Sequence, residues 1–227
     1  MNETTNQTPS QSTTTPGDGV LLKKQHNLAD FCSEDESRYA LRGVHYNKTL
    51  NRLEATDGRM VIIVPLAKEP VSTEFPPCHS ALKSNPQDCI IPVAAIEAAF
   101  RDLVEHCSRT VLPVLGTILL KANGETLWVN SQRVSLTVSD LDAEHTTNSK
   151  CIESAFPVVQ NVVPTFEAKA VAHFQPKYLK KVCEYAEYIG ATSIKFELSG
   201  NPYDPVRMTI PHCDGDIVVV LMPMRMS

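Results

Sequence analysis

The chain lacks the segments by which membrane and exported proteins are recognised. No apolar run approaches the roughly 20 residues that a membrane-spanning helix needs. The first residues have neither the basic start nor the apolar stretch of a signal peptide. With 42% hydrophobic residues the chain can still bury a substantial core. We therefore expect a globular, cytoplasmic protein.

Motifs of common catalytic sites are also missing. The sequence has no Gly-x-Ser-x-Gly nucleophile turn and no Gly-rich loop ahead of a helix. Asp57-Gly58 follows a predicted strand and is typical of a hairpin turn rather than of a phosphate or metal site. We therefore predict no catalytic residue and no cofactor.

Cysteine is present without a pattern. Seven cysteines are an odd number with no regular spacing, which favours reduced thiols over a disulfide framework. Thiolate and imidazole ligands suit zinc, and cysteine and histidine adjoin three times, at Cys78-His79, His106-Cys107 and His212-Cys213. No Cys-x-x-Cys or His-x-x-x-His spacing accompanies them, so we expect no metal site.

Basic residues are in the minority, since 21 Lys and Arg stand against 26 Asp and Glu, for a formal net charge of −5. This balance excludes a protein covered in basic surface, so any contact with nucleic acid must be local. Residues 1–19 have almost no apolar side chain to bury, and we predict that they form a disordered tail.

The rest of the chain predicts a repeated unit in which a strand and a helix precede a meander of strands. Residues 20–88 form the first and partial unit, which opens with a short amphipathic segment at residues 20–32. Three strands are predicted after it, at residues 39–46, 50–57 and 60–66. The prolines of residues 68–88 predict an extended connector.

Residues 89–164 form the second unit. After a strand, a helix is predicted over residues 93–107, because Ile96, Phe100 and Leu103 recur at helical spacing. Strands are predicted after this helix, at residues 116–122, 126–130 and 133–139.

Residues 165–227 form the third unit. A strand is predicted over residues 166–173, and a helix over residues 176–189 is followed by Gly190. Further strands are predicted at residues 193–198, 206–210 and 217–222. The three units together predict an α+β fold with antiparallel sheets and with the helices on one face.

The chain ends on soft apolar side chains, because its last strand runs directly into Met-Pro-Met-Arg-Met. Thioether side chains adapt to whatever packs on them. The segment indicates either a surface that binds another chain or a buried last strand whose tail packs within the protein.

Four segments carry a resemblance to a known family: SRYALRGVHYNKTLNRLEATDGRM at residues 37–60, FPVVQNVVP at 156–164, FQPKYL at 174–179 and VLMPMRM at 220–226. In this order they resemble the DNA polymerase III beta subunit, the bacterial sliding clamp. A fifth segment, RTVLPVLGTILL at residues 109–120, is similar to the segment after the first helix of a clamp domain.

The resemblance implies a protein that is not an enzyme. In that family, strand-helix-meander halves pair into domains, six domains form a ring around duplex DNA, and the helices line the hole. Partner proteins bind through a short peptide motif in a hydrophobic pocket. Carried over by position, that pocket would use Thr56, Gly58, Arg59, Met60, Pro164, Gln175, Tyr178, Val206, Met208, Val220, Met222, Pro223, Met224 and Arg225.

The helix face that the resemblance places toward double-stranded DNA carries Lys177, Lys180 and Lys181. Basic residues along one helix face neutralise phosphates, so we expect contact that is independent of sequence and that weakens with salt. On the other predicted helix, acidic residues oppose such contact, namely Glu97, Asp102 and Glu105.

The chain also departs from the family. A beta clamp has three domains, whereas this chain has room for about two, and the family's Gly-His-Arg-Leu turn is shortened to Gly58-Arg59-Met60. Two hypotheses stay open. The protein is a homo-oligomeric processivity factor that tethers polymerase or repair proteins to DNA, or it is a clamp-derived adaptor that binds peptides without encircling DNA.

Overall fold

The structure is a computed structural model that describes residues 19–67, 75–82, 86–107, 112–122, 132–163, 171–201, 203–211 and 216–224. In these ranges the chain forms eleven strands and two α-helices. It divides into two compact units, unit 1 at Met1–Val162 and unit 2 at Val163–Ser227. Neither helix has both the length and the apolar character needed to cross a membrane.

Unit 1 contains two antiparallel sheets of four strands. The first sheet, in the order β4-β3-β2-β5, consists of β2 (Gly43–Asn47), β3 (Arg52–Thr56), β4 (Val61–Pro65) and β5 (Cys89–Pro92). The second, in the order β1-β6-β7-β8, consists of β1 (Val20–Leu22), β6 (Ile118–Ala122), β7 (Arg133–Ser139) and β8 (Glu144–Lys150).

The two sheets of unit 1 exchange one strand each. β1 precedes the first meander in the chain, yet it pairs with β6 of the second sheet, with Leu21 opposite Leu119. β5 precedes the second meander, yet it pairs with β2 of the first sheet, with Val44 opposite Ile91. Residues 20–88 and 89–164 are therefore interleaved in space, and their buried side chains form one main core.

Helix α1 (Val93–His106) lies against strands of both sheets. Ile96, Phe100 and Leu103 recur at helical spacing and all three are buried, as the periodicity predicts. The helix starts directly after Pro92 and ends before Cys107, whose backbone is extended. Its buried face closes the core of unit 1 from one side.

The described part of the proline-rich connector packs on the second sheet of unit 1. Phe75 and Cys78 are buried there against Leu119. The carboxylate of Glu144 accepts hydrogen bonds from the backbone N–H groups of His79 and Ser80, at 2.8 and 2.7 Å. The described part of the connector therefore packs on this sheet and shields part of it from solvent.

Unit 2 contains one helix and one antiparallel sheet among its described residues. They are α2 (Pro176–Tyr188), β9 (Lys195–Glu197), β10 (Val206–Ile210) and β11 (Ile217–Leu221), and the strand order is β11-β10-β9. α2 ends at Tyr188, and Gly190 follows its C-cap residue as predicted. The Gly190 N–H donates to the Glu187 carbonyl and the Ala191 N–H donates to the Ala186 carbonyl, at 2.9 Å each.

The predicted α+β class is confirmed, since all strand pairings among the described residues are antiparallel and helix α1 packs against both sheets of unit 1. Several predicted element bounds agree within one or two residues, among them those of both helices. The predicted strands at residues 126–130 and 166–173 lie wholly or largely outside the described residues.

The structure differs from the local predictions at three places. Residues 39–41 form a 3-10 turn rather than the start of a strand. The amphipathic segment at residues 20–32 begins with β1, which pairs into the second sheet rather than with the meander that follows it, and two 3-10 turns come after β1. Strand β8 was not predicted, because its sequence EHTTNSK has no apolar alternation.

Candidate functional site

The turn after β3 carries four of the residues that the resemblance places in a peptide pocket. The Asp57 carboxylate accepts hydrogen bonds from the N–H groups of Arg59 and Met60, at 2.8 and 2.9 Å. These bonds hold the pKa of Asp57 below its usual range. The Thr56 hydroxyl donates to the Met60 carbonyl at 2.6 Å and accepts from the Gly58 N–H at 3.0 Å.

This turn has a fixed backbone with two exposed side chains. Gly58 adopts a φ of +89°, and a Cβ at this position would meet the guanidinium of Arg38. Arg38 in turn donates to the Asp57 carbonyl at 2.8 Å. Thr56 is buried, whereas Arg59 and Met60 are exposed. From this turn, only the last two offer side chains to a ligand.

The C-terminal tail lies beside the start of α2. The Met224 N–H donates to the His173 carbonyl at 2.7 Å, and Gln175 is the N-cap residue of α2. Met222, Met224 and Tyr178 are exposed. The structure therefore places the backbone of the tail beside the start of α2, and Met222, Met224 and Tyr178 each have an exposed side chain in unit 2.

Two other predicted pocket residues lie elsewhere. Val206 and Met208 are fully buried, and Val206 pairs with Leu221. Val220 is opposite Arg207, so its side chain lies on the other face of the sheet. The structure does not bring Val206 and Met208 onto the surface that carries Val220.

The remaining predicted pocket residues are either outside the described residues or in the other unit. Pro164 and Arg225 lie outside the described residues. The turn at Thr56–Met60 belongs to unit 1, and the surface around Met222 belongs to unit 2. The full set of pocket residues stays a prediction.

The three lysines of α2 are exposed. At 100° per residue, Lys177, Lys180 and Lys181 fall within an arc of about 100°, opposite the buried Ala186. The Nζ of Lys180 lies 3.5 Å from the Glu184 carboxylate, which partly offsets its charge. The face is thus basic, with one acidic residue within it.

Helix α1 has the opposite character. Glu97 and Glu105 are exposed on it, and Arg101 is an exposed basic residue between them. An acidic helix face repels phosphates. If either helix meets DNA, the charges favour α2.

Four of the cysteines that the structure describes, Cys32, Cys78, Cys89 and Cys151, are buried, whereas Cys183 is exposed. Burial raises the pKa of Cys32 to about 12 and that of Cys78 to about 11. The pKa of Cys89 is also raised, by its hydrogen bond with Cys151 and by burial. Over the ranges that the structure describes, no two cysteines form a disulfide and no group of three or more His, Cys, Asp or Glu is placed to hold a metal.

A buried carboxylate was missed by the sequence interpretation. Glu54 of β3 is buried, with Arg52 Nε at 2.5 Å and His45 Nδ1 at 2.9 Å from its oxygens. The alternation of residues 52–56 and the pairing of β2 with β3 would have placed these three on one face. The group ties two strands together and is a structural feature of unit 1.

The exchanged strands and repeated meanders define a clamp-like α+β fold. The chain is similar to the beta subunit from DNA polymerase of Streptococcus pyogenes, with a TM-score of 0.61 and 14% identity over 96% of this chain and 53% of that chain. It is also similar to Caulobacter crescentus pol III beta, with a TM-score of 0.56 and 20% identity over 90% of this chain and 50% of that chain.

DNA polymerase III subunit beta from Borrelia burgdorferi is similar as well, with a TM-score of 0.52 and 13% identity over 95% and 50% of the two chains. The chain thus spans about half the length of the clamps that it matches. No protein-family model matches the sequence, and no curated protein does. The similarity to the DNA polymerase III beta clamp that the motifs predict is confirmed at the level of the fold.

Proposed function

We propose that the protein is a non-enzymatic, sliding-clamp-like factor that tethers replication or repair proteins to DNA. The observation that supports this proposal best is the beta-clamp fold over nearly the whole chain. Its second support is that Met222, Met224 and Tyr178 are exposed in unit 2, since these residues belong to the two segments, 220–226 and 174–179, that resemble parts of the clamp pocket.

A short apolar peptide is the ligand that this surface fits. Methionine side chains change rotamer easily and so adapt to different aliphatic and aromatic side chains. The Tyr178 hydroxyl and the Gln175 amide are hydrogen-bonding groups that could orient a peptide backbone. Clamps of this family bind partners in this way, and we extend the mode to the present chain.

A polarisation titration tests the peptide proposal. A labelled peptide of the Gln-x-x-Leu-Phe kind should bind saturably to the full chain, and Met222→Ala should weaken binding at least about tenfold, or 1.4 kcal/mol. Leu141→Ala removes an equally exposed apolar side chain from unit 1 and serves as the matched control. Equal affinities of wild type, Met222→Ala and Leu141→Ala would refute the pocket.

The DNA part of the proposal has a separate test. Replacing Lys177, Lys180 and Lys181 by Ala should lower affinity for duplex DNA and reduce the salt slope by about 0.9 for each lysine that neutralises a phosphate. The control is a triple variant with the same charge change at exposed lysines elsewhere: Lys24→Ala, Lys48→Ala and Lys150→Ala. A slope that falls equally in both would rule out a specific role for α2.

The acidic face of α1 favours a second candidate, an adaptor that binds clamp-binding peptides without holding DNA. In a ring of clamp domains the helices line the hole, and Glu97 and Glu105 on α1 would there face phosphates. The two candidates differ in one measurement. Peptide binding without salt-dependent DNA binding identifies the adaptor, and both together identify the clamp.

A further inference from the structure

Cys89 and Cys151 lie close together in unit 1. Cys89 is the first residue of β5, and Cys151 directly follows β8, where its N–H donates to the Gln132 carbonyl at 2.9 Å. The residues that follow the two cysteines form an antiparallel bridge, in which the Ile152 N–H donates to the Ile90 carbonyl at 2.8 Å. Because successive side chains of a strand alternate in direction, both cysteines face away from these isoleucines, into the main core.

The two thiols are in contact with each other. A hydrogen bond joins them, and it raises the pKa of Cys89 and lowers the pKa of Cys151. Cys89 therefore keeps its proton, whereas Cys151 becomes a thiolate more readily. This asymmetry distinguishes the pair from Cys32 and Cys78, whose pKa values are raised by burial. A pair of thiols of which one ionises first is the arrangement that dithiol–disulfide chemistry uses.

A cavity of about 360 Å³ reaches both cysteines and is partly open to solvent. Its lining also includes polar residues, namely His45, Asp88, Gln132 and Glu153. Polar groups of this kind hold water, and hydrogen peroxide has a similar size and polarity. Since Cys89 and Cys151 are only 5% and 6% exposed, a bulky oxidant such as a protein disulfide has little access to them. The cavity therefore favours a small, polar oxidant.

We propose that Cys89 and Cys151 are a redox site, in which a small peroxide converts the two thiols into a disulfide. The bond would join β5 of the first sheet to the end of β8 in the second, so oxidation would link the two sheets of unit 1 covalently. It would close a loop over residues 89–151, which contains α1 and the strands β6, β7 and β8. This site goes beyond the proposed function and does not depend on peptide or DNA binding.

The reaction balances in two steps. The Cys151 thiolate attacks one oxygen of hydrogen peroxide, so that an S–O bond forms, the O–O bond breaks, and the leaving hydroxide takes up the proton that Cys151 released. The sulfur of Cys89 then attacks the sulfur of Cys151, an S–S bond forms, the S–O bond breaks, and hydroxide leaves with the Cys89 proton as water. The two thiols lose two electrons, and one peroxide becomes two waters. A thiol reductant reverses the change by exchange with the disulfide.

Disulfide mapping tests the site on the full wild-type chain, kept dilute so that chains do not join. Hydrogen peroxide is added in steps, the remaining thiols are alkylated, and the chain is digested without reductant for mass spectrometry. The peptides carrying Cys89 and Cys151 should appear linked, about 2 Da lighter than the two reduced peptides together, and dithiothreitol should separate them. Cys183 is exposed, so its oxidation shows that the peroxide dose is effective.

Two results of this mapping would overturn the proposal. One is an oxidised Cys183 while Cys89 and Cys151 both stay reduced. The other is a linkage that forms as readily in urea as in native buffer, because the fold then does nothing to bring the two thiols together. Neither result depends on a variant that must fold.

Serine variants test the roles of the two sulfurs. Cys151→Ser should lose the linkage. Cys89→Ser keeps a hydroxyl that can donate to Cys151, and it should leave a sulfenic acid on Cys151 that dimedone traps, because no second thiol displaces the oxygen. Cys32→Ser replaces another thiol of the same core and should form the linkage as wild type does. Sulfenic acid on Cys89 instead of Cys151, or a linkage lost in Cys32→Ser, would contradict the assigned pair.

Discussion

Over the described residues, both units of this protein consist of antiparallel sheets and one α-helix, but they differ in how far the helix and sheets are buried. In unit 1, two halves exchange strands, both sheets have four strands, and α1 lies over one core. In unit 2, the described residues form a sheet of three strands and a helix of which one residue is buried. The contrast teaches that a strand-helix-meander half does not bury its own apolar face, and four predictions test it.

The largest expected effect is in the buried charge group of unit 1. Glu54→Ala should lower the free energy of unfolding by about 3–5 kcal/mol, because it leaves the charge of Arg52 poorly compensated in a closed sheet. Urea denaturation followed by circular dichroism measures this change. Glu153→Ala, at an exposed glutamate of the same unit, should stay within about 0.5 kcal/mol. Similar losses for the two variants would mean that unit 1 is not closed around Glu54.

Two neighbouring residues of α1 provide the next test. Leu103→Ala should cost about 2–5 kcal/mol, because it opens a cavity in the core of unit 1. Val104→Ala, one residue further and on the exposed face, should change stability by no more than about 0.5 kcal/mol. Urea midpoints of both variants decide the matter, and a small loss for Leu103→Ala would show that α1 does not seal the core.

Gly58 and Gly200 have similar backbone angles but different surroundings. Comparing their Gly→Ala variants therefore separates the cost of the backbone conformation from the cost of a steric contact with the new Cβ. Gly58 has a φ of +89° and Gly200 has a φ of +96°, but only Gly58 has a neighbour where a Cβ would stand, the guanidinium of Arg38. Each Gly→Ala change should cost about 1–2 kcal/mol for the left-handed conformation. The loss for Gly58→Ala should be the larger of the two by thermal unfolding. Equal losses would show that Arg38 moves aside freely.

The smallest expected effect is the acid dependence of unit 2. Hydrogen bonds from Arg207 and Lys195 lower the pKa of Glu197 to about 2, from an ordinary value of 4.5. A lowered pKa stabilises the fold above pH 4.5, and this contribution is lost as the pH falls toward 2. Urea midpoints at pH 7, 4 and 2.5 should therefore converge for wild type and Glu197→Gln as the solution is acidified. A constant difference between them would contradict the ion pair.

Local pattern predicted the helices and several strands well. The spacing of Ile96, Phe100 and Leu103 defined α1 within one residue, and the strand at Val206–Ile210 was predicted with the same bounds. The pairing of strands that are distant in the chain could not be predicted from local pattern, because nothing in the sequence of Val20–Leu22 specifies β6 as its partner. The polar strand β8 was missed, since its residues carry no signal of period two.

The candidate site could also be predicted only in part, because local motifs are visible in the sequence and the pairing of strands is not. The tail motif predicted pocket residues at Met222 and Met224, and the structure shows both side chains exposed near the start of α2; their role stays a prediction. The separation of Val206 from Val220 depends on the register between β10 and β11, and no local sequence pattern specifies that register. The exposure of the Phe196 side chain is likewise invisible in the sequence, since an aromatic residue in a strand normally indicates burial.

The exchanged strand β1 has a consequence for synthesis of the chain. Val20 pairs with Leu120, a hundred residues later. A ribosome adds about 5–20 residues per second, so β1 waits for roughly 5–20 seconds before its partner has been made. During that interval Leu22, which ends fully buried, has no sheet to join. Such late, long-range pairing slows folding, and we expect the nascent chain to need protection from association until β6 has emerged.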